Sequence, residues 1–176
     1  QAPPCAPAYT TGGTSAVFGY HIAYQQSFTA TCSGKLTTMV FTFPNTAEDF
    51  RSTGYVIQAS LKDAAGTTTL ATAPRTDQVF PTGTTTFDFS AANAVLTSGT
   101  QYRWELLEIE TSTGLSNLPV YLLQSFLTDP YPGGQAFGTG GDATPAANRD
   151  WRGWTVNIAA AVATGTIASP LCAGSA

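Results

Sequence analysis

The residues able to do chemistry are few. There is one histidine, His21, so any Ser-His-Asp relay would have to run through it. His21 sits in an alternating run, on the face opposite Phe18 and Tyr20, with no nucleophile-elbow motif beside it. That placement reads as an ordinary strand position. Glu105, Glu108 and Glu110 fall on one strand-like stretch, where a period of two sets Glu108 and Glu110 on one face and Glu105 on the other. A glycosidase needs two carboxylates facing each other across about 5–9 Å. Glutamates of one strand read instead as a solvated face. Asp129, Asp142 and Asp150 surround a long loop whose oxygens could hold calcium, but no EF-hand or repeat spacing supports it. One histidine and three dispersed cysteines cannot build a zinc cage. The expectation is a protein that is not an enzyme and needs neither metal nor cofactor.

The cysteines carry a different message. Cys5, Cys32 and Cys172 are odd in number, which in a secreted chain implies one disulfide plus a thiol, or a bond to another molecule. Sequence leaves the pairing open. A start at Gln1 suggests a mature chain after signal-peptide removal. Charged residues make up only 10% of the 176 residues, with threonine and glycine in their place. This is the composition of an extracellular β protein. The net charge of −4 and seven scattered basic residues offer no patch for nucleic acid. The longest mildly apolar run, 156–163, is too short for membrane insertion.

Period-two alternation dominates the elements. Strands are expected over 14–24, 26–32, 35–43, 55–62, 67–73, 84–90, 101–111, 118–128 and 151–167. The 118–128 strand is the most apolar and is expected to be central. Asp63-Ala-Ala-Gly66 reads as a hairpin turn, and a helical turn is expected near 91–95. The pattern gives an all-β, antiparallel sandwich, jelly-roll or immunoglobulin-like, of about eight or nine strands. It occupies 26–176, and residues 1–25 form an N-terminal arm.

The segment Asp129-Pro-Tyr-Pro-Gly-Gly134 precedes Phe137, Trp151 and Trp154. Tyr131, Phe137, Trp151 and Trp154 could stack on sugar rings, or pack over the sandwich edge. Together with Leu96-Thr-Ser-Gly-Thr-Gln-Tyr102-Arg-Trp and Trp151-Arg-Gly-Trp-Thr-Val, this segment resembles bacterial secreted jelly-roll modules. The likeness covers roughly residues 26–165. It implies a fold and a cell-surface location more than an activity.

The arm carries Ala16, Phe18, Tyr20, Ile22 and Tyr24 on one face, set off by Gly12-Gly13 and a proline-rich start. Such a strand can complete its own sandwich or fill a groove in another copy. Donor and acceptor surfaces differ, so the second case builds a head-to-tail helical filament of identical subunits. The arrangement resembles donor-strand-exchange pilus and fibre subunits in architecture. The leading expectation is a structural subunit of an extracellular bacterial filament. The other is a carbohydrate-binding, adhesive surface module.

Overall fold

The structure, a computed structural model, describes residues 5–6, 8–9, 16–18, 23–43, 55–73, 83–110, 124–126, 131–139 and 150–161. In chain order the strands are β1 (Ala8–Tyr9), β2 (Ala16–Phe18), β3 (Ala23–Thr29), β4 (Gly34–Phe43), β5 (Tyr55–Lys62) and β6 (Thr69–Thr72). They continue as β7 (Gly83–Asp88), β8 (Val95–Leu96), β9 (Gln101–Glu110), β10 (Gln124–Phe126), β11 (Ala136–Thr139) and β12 (Trp154–Ala160). A 3-10 turn spans Ser90–Ala92. One sheet runs β1-β12-β4-β7, with β8 also on β4; the other runs β11-β3-β9-β5-β6. The described strand pairs are all antiparallel. The protein is an all-β sandwich.

Alternation decides what the two sheets turn towards each other. From one come Tyr24 and Phe28 of β3, Ile57, Ala59 and Leu61 of β5, and Tyr102, Trp104 and Leu106 of β9. From the other come Met39, Phe41 and Phe43 of β4, Phe87 of β7, and Trp154, Val156 and Ile158 of β12. Aromatic rings close the middle. Phe41 and Trp104 meet edge to face at 5.0 Å, and Trp104 lies 6.0 Å from Trp154. Full burial of each such side chain contributes about 1.5–3 kcal/mol.

In β4 the inward residues change parity, from Leu36 to Met39, Phe41 and Phe43. The cause is a bulge. Asn157 of β12 faces Thr38 while the next residue, Ile158, faces Leu36, so Thr37 is an extra residue on β4. Thr37 donates its hydroxyl to the Asn157 carbonyl at 3.0 Å, which occupies the group the bulge displaces.

The Leu96-to-Tyr102 motif is a tyrosine corner, a device of immunoglobulin-like sandwiches. The Tyr102 hydroxyl accepts a hydrogen bond from the Thr97 amide at 3.0 Å. Gly99, at φ +76, turns the chain between them, and its amide donates to the Ala30 carbonyl at 2.8 Å.

Two stretches differ from the expectation. The described parts of the 14–24 stretch lie in two sheets: β2 covers Ala16–Phe18 and pairs with β10, while Tyr24 belongs to β3 and shares its inward face with Phe28. The 118–128 strand was expected at the centre of a sheet. Its described part, β10, pairs with β2 as a two-stranded ribbon outside both five-stranded sheets. The places beside β9 are already filled by β3 and β5.

The β5–β6 turn is organised by Asp63. Its Oδ1 accepts from the Thr67 and Thr68 amides at 2.9 and 3.2 Å, and its Oδ2 from the Thr67 hydroxyl at 3.2 Å. These bonds, the Thr68 amide foremost, hold its pKa at about 2, below the ordinary 3.8. A depressed folded-state pKa means that the carboxylate stabilises the fold above the unfolded value and loses that effect as pH falls through about 2. Asp63→Asn should therefore lower Tm at pH 7, and the gap to the unaltered chain should close between pH 4 and pH 2 in a thermal melt. Tyr102→Phe should cost about 1 kcal/mol in urea unfolding, the worth of one hydrogen bond.

Candidate functional site

The arm residues that can be described lie at the margins of the sandwich. Ala8 and Tyr9 pair with Thr155 and Trp154 on the outer edge of β12. The Cys5 carbonyl continues that ladder by accepting from the Ile158 amide at 3.1 Å. Cys5 is bonded to Cys32, with Cα atoms 5.6 Å apart and a sequence separation of 27. In the chain-entropy description a loop of that length stabilises by about 3.5 kcal/mol. Of the proposed donor face, Ala16 and Phe18 lie in β2 and Tyr24 is fully buried in the chain's own core. Tyr20, Ile22 and Cys172 lie outside the described residues.

The aromatic residues proposed to bind sugar do not form one surface. Trp151 and Trp154 are both 0% exposed. Trp151 meets Tyr24 edge to face at 5.0 Å, and Trp154 packs among Phe28, Trp104 and Tyr131. No face of either indole is open to a ligand. Tyr131 is half-buried with its ring on Trp154 at 5.1 Å, and its hydroxyl accepts from the Thr29 amide at 3.4 Å. Burial raises the pKa of that phenol, so it stays neutral at physiological pH. Only Phe137 keeps a partly exposed ring beside a groove.

What holds these rings is a buried polar cluster that the alternation pattern did not reveal. Gln26 points into the core between Tyr24 and Phe28 and is 0% exposed. Its Nε2 donates to Asp150 Oδ1 at 2.6 Å, and its Oε1 accepts from the Trp151 amide at 2.9 Å. Asp150, also 0% exposed, accepts from the Tyr131 amide through Oδ2 at 2.8 Å. So one glutamine ties both the 131–135 loop and the start of the last strand to β3. Gly134 completes the fit, since a Cβ there would overlap the Ser27 carbonyl. The only trace in the sequence is the adjacent pair Gln25-Gln26 interrupting an apolar alternation.

Gln25 faces the other way and joins a second cluster. Phe137, Gln25, Glu105, Ser60 and Thr72 lie in one row across the outer face of the sheet. Gln25 Nε2 donates to Glu105 Oε2 at 2.6 Å, and Lys62 pairs with Glu105 Oε1 at 3.1 Å. Arg103 donates from Nε to the Ala64 carbonyl at 2.8 Å and from Nη1 to Gln25 Oε1 at 3.3 Å. Its guanidinium lies 3.7 Å from the centre of the Phe137 ring. Beside it opens a polar groove of about 540 Å³, floored by Thr29 and Gln101 and flanked by Gly133 and Gln135.

Of the remaining candidates, those whose side chains are described have structural partners. Glu105 is engaged as above, and Asp150 is a structural acceptor, so neither is a free carboxylate in a cleft. Glu108 and Glu110 lie on β9, while His21, Asp129 and Asp142 fall outside the described residues. Among the described residues no three His, Cys, Asp or Glu side chains gather as a metal site. No helix among them is long and apolar enough to cross a membrane. In comparison with known proteins, the chain matches no family model and no curated relative.

Gln26→Leu distinguishes anchoring from hydrophobic burial. By apolar content alone it should stabilise. Because it leaves the Asp150 carboxylate buried without its amide partner, we expect a loss of about 3 kcal/mol in urea unfolding.

Proposed function

We propose that the protein is a structural subunit of an extracellular filament, polymerising by insertion of its N-terminal strand into a groove of another subunit. One observation carries this reading. The strands from Ala23 onward supply both faces of the core, whereas the backbone of β1 pairs at the end of one sheet and that of β2 in a two-stranded sheet. β1 covers part of the β12 edge, and β2 pairs with β10 away from both five-stranded sheets. Segments paired by their backbone at the end of a sheet, or outside the two large sheets, are those a neighbour can receive as an added strand.

The structure alters two details of the expected exchange. Tyr24 serves the subunit's own core, so the inserting face is Ala16, Phe18, Tyr20 and Ile22. The Cys5–Cys32 bond ties the start of the arm to its own sandwich. Residues 6–22 then reach a neighbour as a closed loop. Half of that stretch spans roughly 28 Å at ~3.3 Å per extended residue, comparable to a small domain. Such a loop can insert while remaining covalently held at both ends.

The test is electron microscopy of the full chain beside a chain lacking residues 1–22 and carrying Cys32→Ser. The full chain should form filaments. The truncated one should remain monomeric, with an unfolding transition of its own. Filaments from the truncated chain, or none from the full chain, would sink the reading.

A further inference from the structure

We infer that the groove on the outer face of the β11-β3-β9 sheet is a binding site for a carbohydrate bearing a carboxylate, with Arg103 as the group that meets the acid. This does not depend on filament formation and uses no residue before Gln25.

The argument begins with how firmly Arg103 is held. A free arginine side chain loses rotamer entropy when a ligand fixes it. Here the fixing is done in advance by the Ala64 carbonyl, the Gln25 amide oxygen and the Phe137 ring. Gln25 is held in turn by Glu105, and Glu105 by Lys62. Two of the five guanidinium N–H groups are used in these bonds. The other three meet no protein acceptor among the described residues and remain for a ligand. A carboxylate is the acceptor whose geometry matches a guanidinium edge.

The charge around the groove agrees. Among the described residues its lining includes Arg103 and no carboxylate. Glu105 is occupied on both oxygens by Gln25 and Lys62. Asp63 attracts Arg103, yet its oxygens are taken by Thr67 and Thr68 and it does not line the groove. Burial lowers the pKa of Arg103 from an ordinary value high enough to leave it charged.

The remaining lining selects the ligand class. Gln101 and Gln135 offer amides, and the Thr29 hydroxyl, which donates to the Gly133 carbonyl at 3.2 Å, keeps its lone pairs to accept with; these match the dense hydroxyls of a sugar. An extended peptide needs pockets for alternate side chains, and the groove is mostly polar. One cation in a chain of net charge −4 does not suit a polyphosphate. Phe137 is covered on one face by Arg103, so recognition rests on the guanidinium and amides instead of a bare aromatic platform.

The experiment is fluorescence anisotropy with labelled tetrasaccharides, which reads equally well from monomer or filament. The probes are a β-1,4-linked tetraglucuronate and the isosteric tetraglucose. The acidic probe should bind at least tenfold tighter, and added salt should narrow the difference. Arg103→Met should abolish the preference. Because that change also removes the Ala64 and Gln25 bonds, Gln101→Glu serves as a second variant. It adds a negative charge at an exposed position and should weaken the acidic probe about tenfold while sparing the neutral one. Equal binding of the two sugars, no binding of either, an unchanged preference in both variants, or equal binding of a tetraglutamate peptide would each overturn the proposal.

Discussion

The side chain of Gln26 occupies a position that strand alternation reserves for an apolar residue. Both neighbours on its face, Tyr24 and Phe28, are fully buried aromatics. A buried amide is tolerable only if each polar atom is satisfied, and here Asp150 and the Trp151 amide do so. The consequence is long-range. A residue early in the chain dictates where the chain returns more than a hundred residues later. The Trp151 and Trp154 rings enter the core because that return is fixed. The Tyr131 amide, bonded to Asp150, carries the 131–135 loop with it. That loop then forms one flank of the outer groove.

The same strand therefore serves two surfaces. Gln26 works inward and Gln25 outward, one residue apart, because successive side chains of a strand point to opposite faces. Inward, an amide–carboxylate bond positions the aromatic core. Outward, the Gln25–Glu105–Lys62 chain steadies Arg103. A substitution that shifted the register of β3 by one residue would exchange these two environments and ruin both.

The disulfide sets the character of the arm. In a chain with few charges and many threonines, the edges of the sheets are only lightly protected. β1 covers the β12 edge with a short ladder, and Cys5–Cys32 keeps that ladder at high local concentration. A covalently held arm is a different device from a free tail: its start stays on an edge of its own sheet.

Periodicity alone determined much of this protein. The alternations Met39-Phe41-Phe43, Ile57-Ala59-Leu61 and Tyr102-Trp104-Leu106 identified their strands and inward faces, and Asp63 to Gly66 identified its turn, because these signals are local. The all-β sandwich followed from them. Only the tertiary structure decided the rest. The bulge at Thr37 changes which parity faces inward, and it exists because β12 pairs with β4 from far along the chain. Trp151 and Trp154 could face a sugar or the sandwich until Gln26 and Asp150 draw them inside. Cys5 could have paired with either remaining cysteine until the β12 edge brought it to Cys32. In each case the deciding contact joins residues distant in sequence. Local residue types determine which strands can form; which strands meet is settled by the packing of the whole core.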